Sequence, residues 1–280
     1  MSKPKQTCGV ADWGREPYGR VFDWQRELVA ARKAGRVPDL LLLGEHPPVI
    51  TLGRNARRDH IRLPEAELAR RGVEVHETDR GGDVTYHGPG QLVGYPILDL
   101  AGLRKDLVWY VRALEDVLIN AAESLGVKAE RKSSPAEVRR TKAGTGAAKQ
   151  LYTGVWVGEE KLAAIGVHVS RWVTSHGFAF NVTTDLSHFD FIVPCGIPDK
   201  SVTSLKKVLQ YSPRPQAPAL GKAEHPIPVA GATGLGGGSL MAAVKVVVVK
   251  QFGEVFGREM RVIEPETLEA WVGAHEAAAS

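Results

Sequence analysis

Hydrophobic positions recur at helical spacing in several parts of the chain. The clearest is 107–125, where Leu107, Val108, Val111, Leu114, Val117, Leu118, Ala121 and Leu125 repeat three and four apart, and Gly126 supplies a C-terminal stop. In VFDWQRELVAARKAG, Phe22, Trp24, Leu28 and Val29 fall along one side of a second helix. Residues 240–256 and 265–274 read as two closing helices, 64–71 as a short one, and 201–210 as another with Ser201 as its cap. Between these lie apolar, β-branched runs bounded by Gly and Pro, which read as strands. They are 39–44 (DLLLLG) and 49–53 (VITLG) joined by an EHPP turn, then 73–75 and 91–100. A hairpin over 152–169 turns at Gly158, Glu159 and Glu160, and 176–182 (HGFAFNV) adds a further strand. Residues 1–14 show neither period and read as a loose tail. Strands come early in hairpins, helices are interspersed, and no regular βαβ alternation is visible. The expected fold is α/β of the α+β type, with a mixed, largely antiparallel sheet and flanking helices.

Two stretches break this pattern. Residues 128–149 carry seven Lys or Arg against two Glu, and 211–239 hold five Pro and six Gly in 29 residues. Both read as flexible. The chain is therefore expected to be a single domain over 15–280 with insertions at 131–150 and 211–239.

At 280 residues and 43% apolar content, the chain can bury a substantial core. A net charge of +4 is too small to point to nucleic acid but suits acidic protein partners. Two cysteines, Cys8 and Cys195, argue against a disulfide framework and for a reducing compartment. No run approaches the ~18 apolar residues of a membrane span, and the N-terminus lacks a signal-peptide core. The expectation is a cytoplasmic, monomeric protein with no membrane contact, in which Cys8 is dispensable.

Chemistry is concentrated in three places. Cys195, in FIVPCGIPDK, follows a strand-like run and precedes a helix, a loop position where a thiol is reachable; free Cys in such a run is also often a small buried apolar residue. An unperturbed thiol titrates near about 8.5, so a nucleophilic role needs a base or cation nearby. His87, His168, His176 and Lys161 are available. Lys161 opens the apolar strand KLAAIGVHV; it is either a solvated hairpin end or a desolvated base. The third place is RGGDVTYHGPGQ, where Gly81 and Gly82 allow close backbone approach and Arg80, Asp83, Thr85, Tyr86, His87 and Gln91 crowd together. A glycine-rich hairpin turn explains the glycines but not that crowding. It is neither a P-loop nor a dinucleotide fingerprint, and no serine-hydrolase elbow or paired metal-ligand spacing stands out. GATGLGGGS at 231–239 lacks the P-loop lysine and reads as linker.

RGGDVTYHGPGQLVGYPILDL, KLAAIGVHVSRWVTSHGFAFNV and FIVPCGIPDKSVTSL, in that order, resemble the lipoyl(octanoyl) transferases, the LipB family; TLGRNA and TGVWVG match as well. The likeness spans about 18–210. It implies the α/β catalytic domain shared with biotin and lipoate protein ligases. It also implies octanoyl transfer from acyl carrier protein to a lysine of the lipoyl domains of 2-oxoacid dehydrogenases and the glycine-cleavage H protein, with no cofactor. By the resemblance, Cys195 carries the acyl group and Lys161 is its partner. Arg80, Gly81, Gly82, Asp83, Val84, Thr85, Tyr86 and His87 then bind substrate, with Ala164, Ile165, Gly166, Gly177, Phe178 and Ala179. Three other readings compete: an ATP-dependent ligase, for which no GRGRxGR-type loop is present; a cysteine hydrolase pairing Cys195 with His87 or His176; and a non-catalytic acyl-binding protein.

Overall fold

The computed structural model describes residues 6–132, 153–193, 201–211 and 239–273. Cys195 and most of both expected insertions lie outside them. A seven-stranded mixed sheet forms the centre. Its strands are β1 (Gln6–Arg15), β2 (Asp39–Glu45), β6 (Gln91–Ile97), β7 (Gly154–Val157), β8 (Glu160–Ser170), β9 (Val173–Asn181) and β10 (Arg258–Val262), in the order β10-β1-β2-β6-β9-β8-β7. β10, β1 and β2 run parallel, and every other pairing is antiparallel. A smaller sheet, β4 (Glu74–Glu77), β3 (Val49–Leu52) and β5 (Val84–His87), lies beside it. The mixed, largely antiparallel α/β arrangement expected from the chain is therefore present.

Helices α3 (Leu107–Ser124) and α5 (Leu240–Phe256) cover one face of the large sheet, closing a core of Leu41, Leu114, Leu118, Phe178, Phe180 and Phe252. On the other face, α1 (Tyr18–Lys33) and α6 (Pro265–Gly273) close a core with Val21, Leu28, Leu40, Tyr95 and Leu268. The small sheet, α2 (Glu65–Arg70) and the 3₁₀ turn Leu186–Phe191 share a third cluster around Ile50, Leu68, Tyr86 and Ile192.

Several expectations change. Residues 6–14 are not a loose tail. They form β1, and Cys8 is completely buried beside Val10 and Leu41. β1, α1 and β2 thus make a parallel βαβ unit, which needs a crossover helix and becomes visible only when β1 is present. β10, which the pattern missed, is short and carries three charged residues, Arg258, Glu259 and Arg261, and it is held by pairing with β1. β2 and β3 are not a hairpin; the His46–Pro48 connection passes from one sheet to the other. The helix expected at 201–210 starts later, as α4 (Leu205–Tyr211), and its cap is Ser204, whose Oγ accepts from Lys207 N–H. α3 matches its period and is capped by Asp106, but Leu107 and Val108 in its first turn are exposed because the core begins a turn later. In α1, Tyr18, Val21, Gln25 and Leu28 are buried, whereas Phe22 and Trp24 are only half-buried at the edge of that face.

Candidate active site

Lys161 is turned inward by a break in strand alternation. The β7–β8 register runs Val155↔Ala163 and then Trp156↔Lys161, which leaves Leu162 as an extra residue on β8. On a regular strand, positions 161 and 164 face opposite ways. The bulge puts Lys161 and Ala164 on one side, where both line the same pocket, while Leu162 and Ala163 both enter the helix-side core. Lys161 is 8% exposed, and its Nζ lies 4.8 Å from the centre of the Trp156 ring. Its backbone is held as firmly. Lys161 N–H donates to the Ser201 carbonyl, and Thr203 N–H donates to the Lys161 carbonyl, both at 2.9 Å. Ser201, expected to cap a helix, instead pairs its backbone with Lys161 at the start of β8.

The pocket is lined by Thr85, Gln91, Lys161, Ala164, Ala179, Asn181, Phe189 and Val202, contributed by β5, β6, β8, β9, the 3₁₀ turn and the 201–203 segment. Ala164 faces Ala179, and Gly166 faces Gly177, in direct cross-strand pairs. This makes a floor of small side chains. Ile165 and Phe178, their sequence neighbours, point to the opposite face and pack in the α3/α5 core. Of the sequence-predicted substrate residues, the structure therefore brings Thr85, Ala164 and Ala179 together with Lys161.

The glycine-rich loop arches over Gly166. Gly81 N–H donates to the Val167 carbonyl at 2.9 Å, and a Cβ on Gly166 would meet Gly81 O at 2.8 Å. Gly82 has φ +103°, which only glycine adopts without strain. Arg80 is buried and ties the loop to β3: its guanidinium donates to Thr51 O (2.7 Å), Thr51 Oγ1 (2.9 Å) and Asp83 O (2.7 Å). Asp83 caps Val84 N–H and accepts from His60 Nδ1 at 2.6 Å. Tyr86 Oη bonds His188 Nδ1 at 2.6 Å, and Val84 is core. These side chains build the loop, whose backbone packs against Gly166 and Val167 of β8.

The family model for the lipoyl protein ligase A/B catalytic domain matches residues 17–219. The chain belongs to this family. It is 51% identical over 206 residues to the octanoyltransferase of Acidobacterium capsulatum, covering 69% of this chain and 77% of that one. With the octanoyltransferase of Chloroflexus aurantiacus it is 44% identical over 260 residues, covering 92% and 97%. Among solved structures, lipoate-protein ligase A bound with ATP superposes with a TM-score of 0.64 at 14% identity, covering 97% of this chain and 94% of that one. The bipartite lipoate protein ligase of Thermoplasma acidophilum gives 0.62 at 15%, covering 96% and 92%. The structures establish the fold; the sequence relatives make this member of the family an acyltransferase, as its motif blocks imply.

Within this lipoyl ligase-type site, sequence reasoning passed over Asn181, Phe189 and Val202 as pocket residues, and noted Gln91 only as part of the polar crowd. The signal for Gln91 was that crowding; Asn181, a polar end to the run HGFAFN, gave little, and Val202 gave none. Gln91 and Asn181 belong to one buried network. His87 Nδ1 donates to Gln91 Oε1 (2.8 Å). Gln91 Nε2 donates to Tyr86 O (3.2 Å) and Asn181 Oδ1 (3.0 Å), and Asn181 Nδ2 donates to Thr203 O (2.9 Å). Burial, reinforced by His46, pushes His87 down to about 3, and burial pushes His46 down to about 4, so both are neutral imidazoles at neutral pH. Their rings lie 6.2 Å apart, with Tyr18 packed on each.

His176 stands at φ +54°, a strained position for a histidine, in the stretch of β9 that leaves its ladder with β6 near Pro96. Its N–H donates to Gln25 Oε1 (2.8 Å) and its Nε2–H to Asp79 Oδ1 (2.7 Å). That hydrogen bond holds the Asp79 carboxyl down at about 2. Neither His87 nor His176 lines the pocket. Among the described residues no group of His, Cys, Asp and Glu is arranged to hold a metal ion, and no helix is long and apolar enough to cross a membrane.

Proposed function

We propose that the protein transfers an octanoyl group from octanoyl-acyl carrier protein to a lysine of lipoyl domains, through a thioester on Cys195 with Lys161 as proton carrier. The observation that carries the reading is Lys161 itself: a buried amine, aimed by a bulge into a pocket floored by alanines, in a chain whose relatives are octanoyltransferases. The flanks of Cys195 support it. Val193 N–H donates to His60 O at 2.7 Å on one side, and the 201–203 segment is bonded to Lys161 on the other.

In the first half-reaction Lys161 takes the Cys195 thiol proton, and the thiolate attacks the carbonyl carbon of the donor thioester. The carbon–sulfur bond to the pantetheine breaks, and the departing thiol receives the proton from Lys161. In the second, the acceptor lysine amine attacks the Cys195 thioester and gives its proton to Lys161. The carbon–sulfur bond to Cys195 breaks, and the proton returns to its sulfur. A thioester becomes an amide, a downhill exchange that requires no ATP.

The test is intact mass of the protein mixed with octanoyl-acyl carrier protein without acceptor or ATP, followed by peptide mapping. An octanoyl group on the Cys195 peptide, discharged by an added lipoyl domain, is expected. No adduct without ATP, and acceptor loading only when octanoate and ATP are supplied, would replace this reading with a ligase.

A further inference from the structure

The pocket side chain of Asn181 has hydrogen-bonding capacity left over. Asn181 is 4% exposed and lines the pocket with Lys161. A primary amide has two N–H donors. Asn181 Nδ2 spends one on Thr203 O at 2.9 Å, and no second acceptor meets it among the described residues. A buried N–H facing an apolar pocket is costly unless a ligand atom meets it.

The amide is also locked the same way round. Its Oδ1 accepts from Gln91 Nε2 at 3.0 Å, so a flip would set two N–H groups against each other there and two oxygens against each other at Thr203. Gln91 is locked in turn, with Nε2 on Tyr86 O and Oε1 accepting from His87 Nδ1. Three side chains from β5, β6 and β9 thus hold one amide in one orientation, its NH₂ end directed at Thr203 and the pocket. Thr203 N–H is bonded to the Lys161 carbonyl, so the same network registers Asn181 against the proposed base.

We propose that Asn181 is a catalytic residue, its second Nδ2–H donating to the thioester carbonyl oxygen as that oxygen becomes negative in the tetrahedral intermediate, with His87 and Gln91 as positioning residues that fix the amide. Asn181 keeps its protons throughout; Lys161 alone moves them. In an apolar pocket such a donor acts on charge that develops only in the transition state. The inference rests on the acyl-transfer reading above.

The experiment measures kcat and the KM for octanoyl-acyl carrier protein, together with the rate of acyl-enzyme formation, for the full chain and for Asn181→Ala, Asn181→Asp and Gln91→Ala, each checked for fold by circular dichroism. The Asp variant keeps the shape and loses the donor. A folded Asn181 variant is expected to lose roughly 10²–10³-fold in kcat with KM held within about threefold, and Gln91→Ala roughly tenfold in kcat. A folded Asn181 variant with kcat within about threefold of the parent, or one in which only KM rises, overturns the proposal. If neither Asn181 variant folds, unchanged kcat in Gln91→Ala overturns it. A parent protein that forms no acyl-enzyme and transfers no octanoyl group overturns the acyl-transfer reading, and this inference with it.

Discussion

Gly177 separates a glycine kept for the sheet from one kept for a substrate. A Cβ there would lie 2.1 Å from the Gly94 carbonyl oxygen and 2.6 Å from Pro96 Cδ. Both neighbours belong to β6, so neither can move aside alone. To reach an ordinary contact, β6 and β9 must part by about 1.3 Å, next to the pair Gly94↔Phe178. Overpacking of this kind costs about 1–3 kcal/mol, and one or two weakened ladder bonds add about 0.5–1.5 kcal/mol each. Gly177→Ala should therefore lose roughly 2–5 kcal/mol, a large part of the ~5–15 kcal/mol that holds a typical domain together. Thermal unfolding should fall by roughly 5–15 °C. Gly102→Ala is the control. Its Cβ would meet nothing nearer than Asp99 O at 3.7 Å, so its midpoint should stay within about 2 °C of the parent. A Gly177→Ala protein that melts with the parent but no longer transfers acyl groups would refute this reasoning and return Gly177 to the substrate.

Lys161→Met keeps the stem packed on Trp156 and removes the amine; a folded protein with transfer reduced at least about 10²-fold is expected by acyl-transfer assay, and normal turnover would remove Lys161 from the chemistry. Cys8→Ser should not be silent. Burial pushes the Cys8 thiol well up, and a serine hydroxyl in that core costs about 1–3 kcal/mol, read as a lower urea midpoint with kcat unchanged. Acid should destabilise the fold through His46 and His87. Their folded pKa values lie below the ordinary histidine value, so the unfolded chain binds protons first, and stability present above about pH 6.5 falls as pH drops toward about 4 and 3. Each contributes a slope of up to about 1.4 kcal/mol per pH unit, and urea midpoints flat between pH 7 and 5 would contradict it.

The helices were legible in the chain because their signal is local. Leu114, Val117, Leu118 and Ala121 mark the buried face of α3 by spacing alone, and the 152–169 hairpin announces its turn with Gly158. The motif blocks carried the family, and with it the choice of Lys161 and Cys195. What the sequence could not carry is whatever depends on distant partners. Residues 6–15 look structureless until β2 and β10 pair with them, and β10 is 252 positions from β1 at its first pair, Gln6↔Arg258. The inward turn of Lys161 comes from a one-residue mismatch between β7 and β8, which alternation within β8 alone does not show. The amide lock on Asn181 joins β5, β6, β9 and the 201–203 segment, so no single stretch contains it. Periodicity determines which side of an element is apolar. Register, bulges and hydrogen bonds across strands decide which polar atoms meet, and those contacts form only when the whole sheet closes.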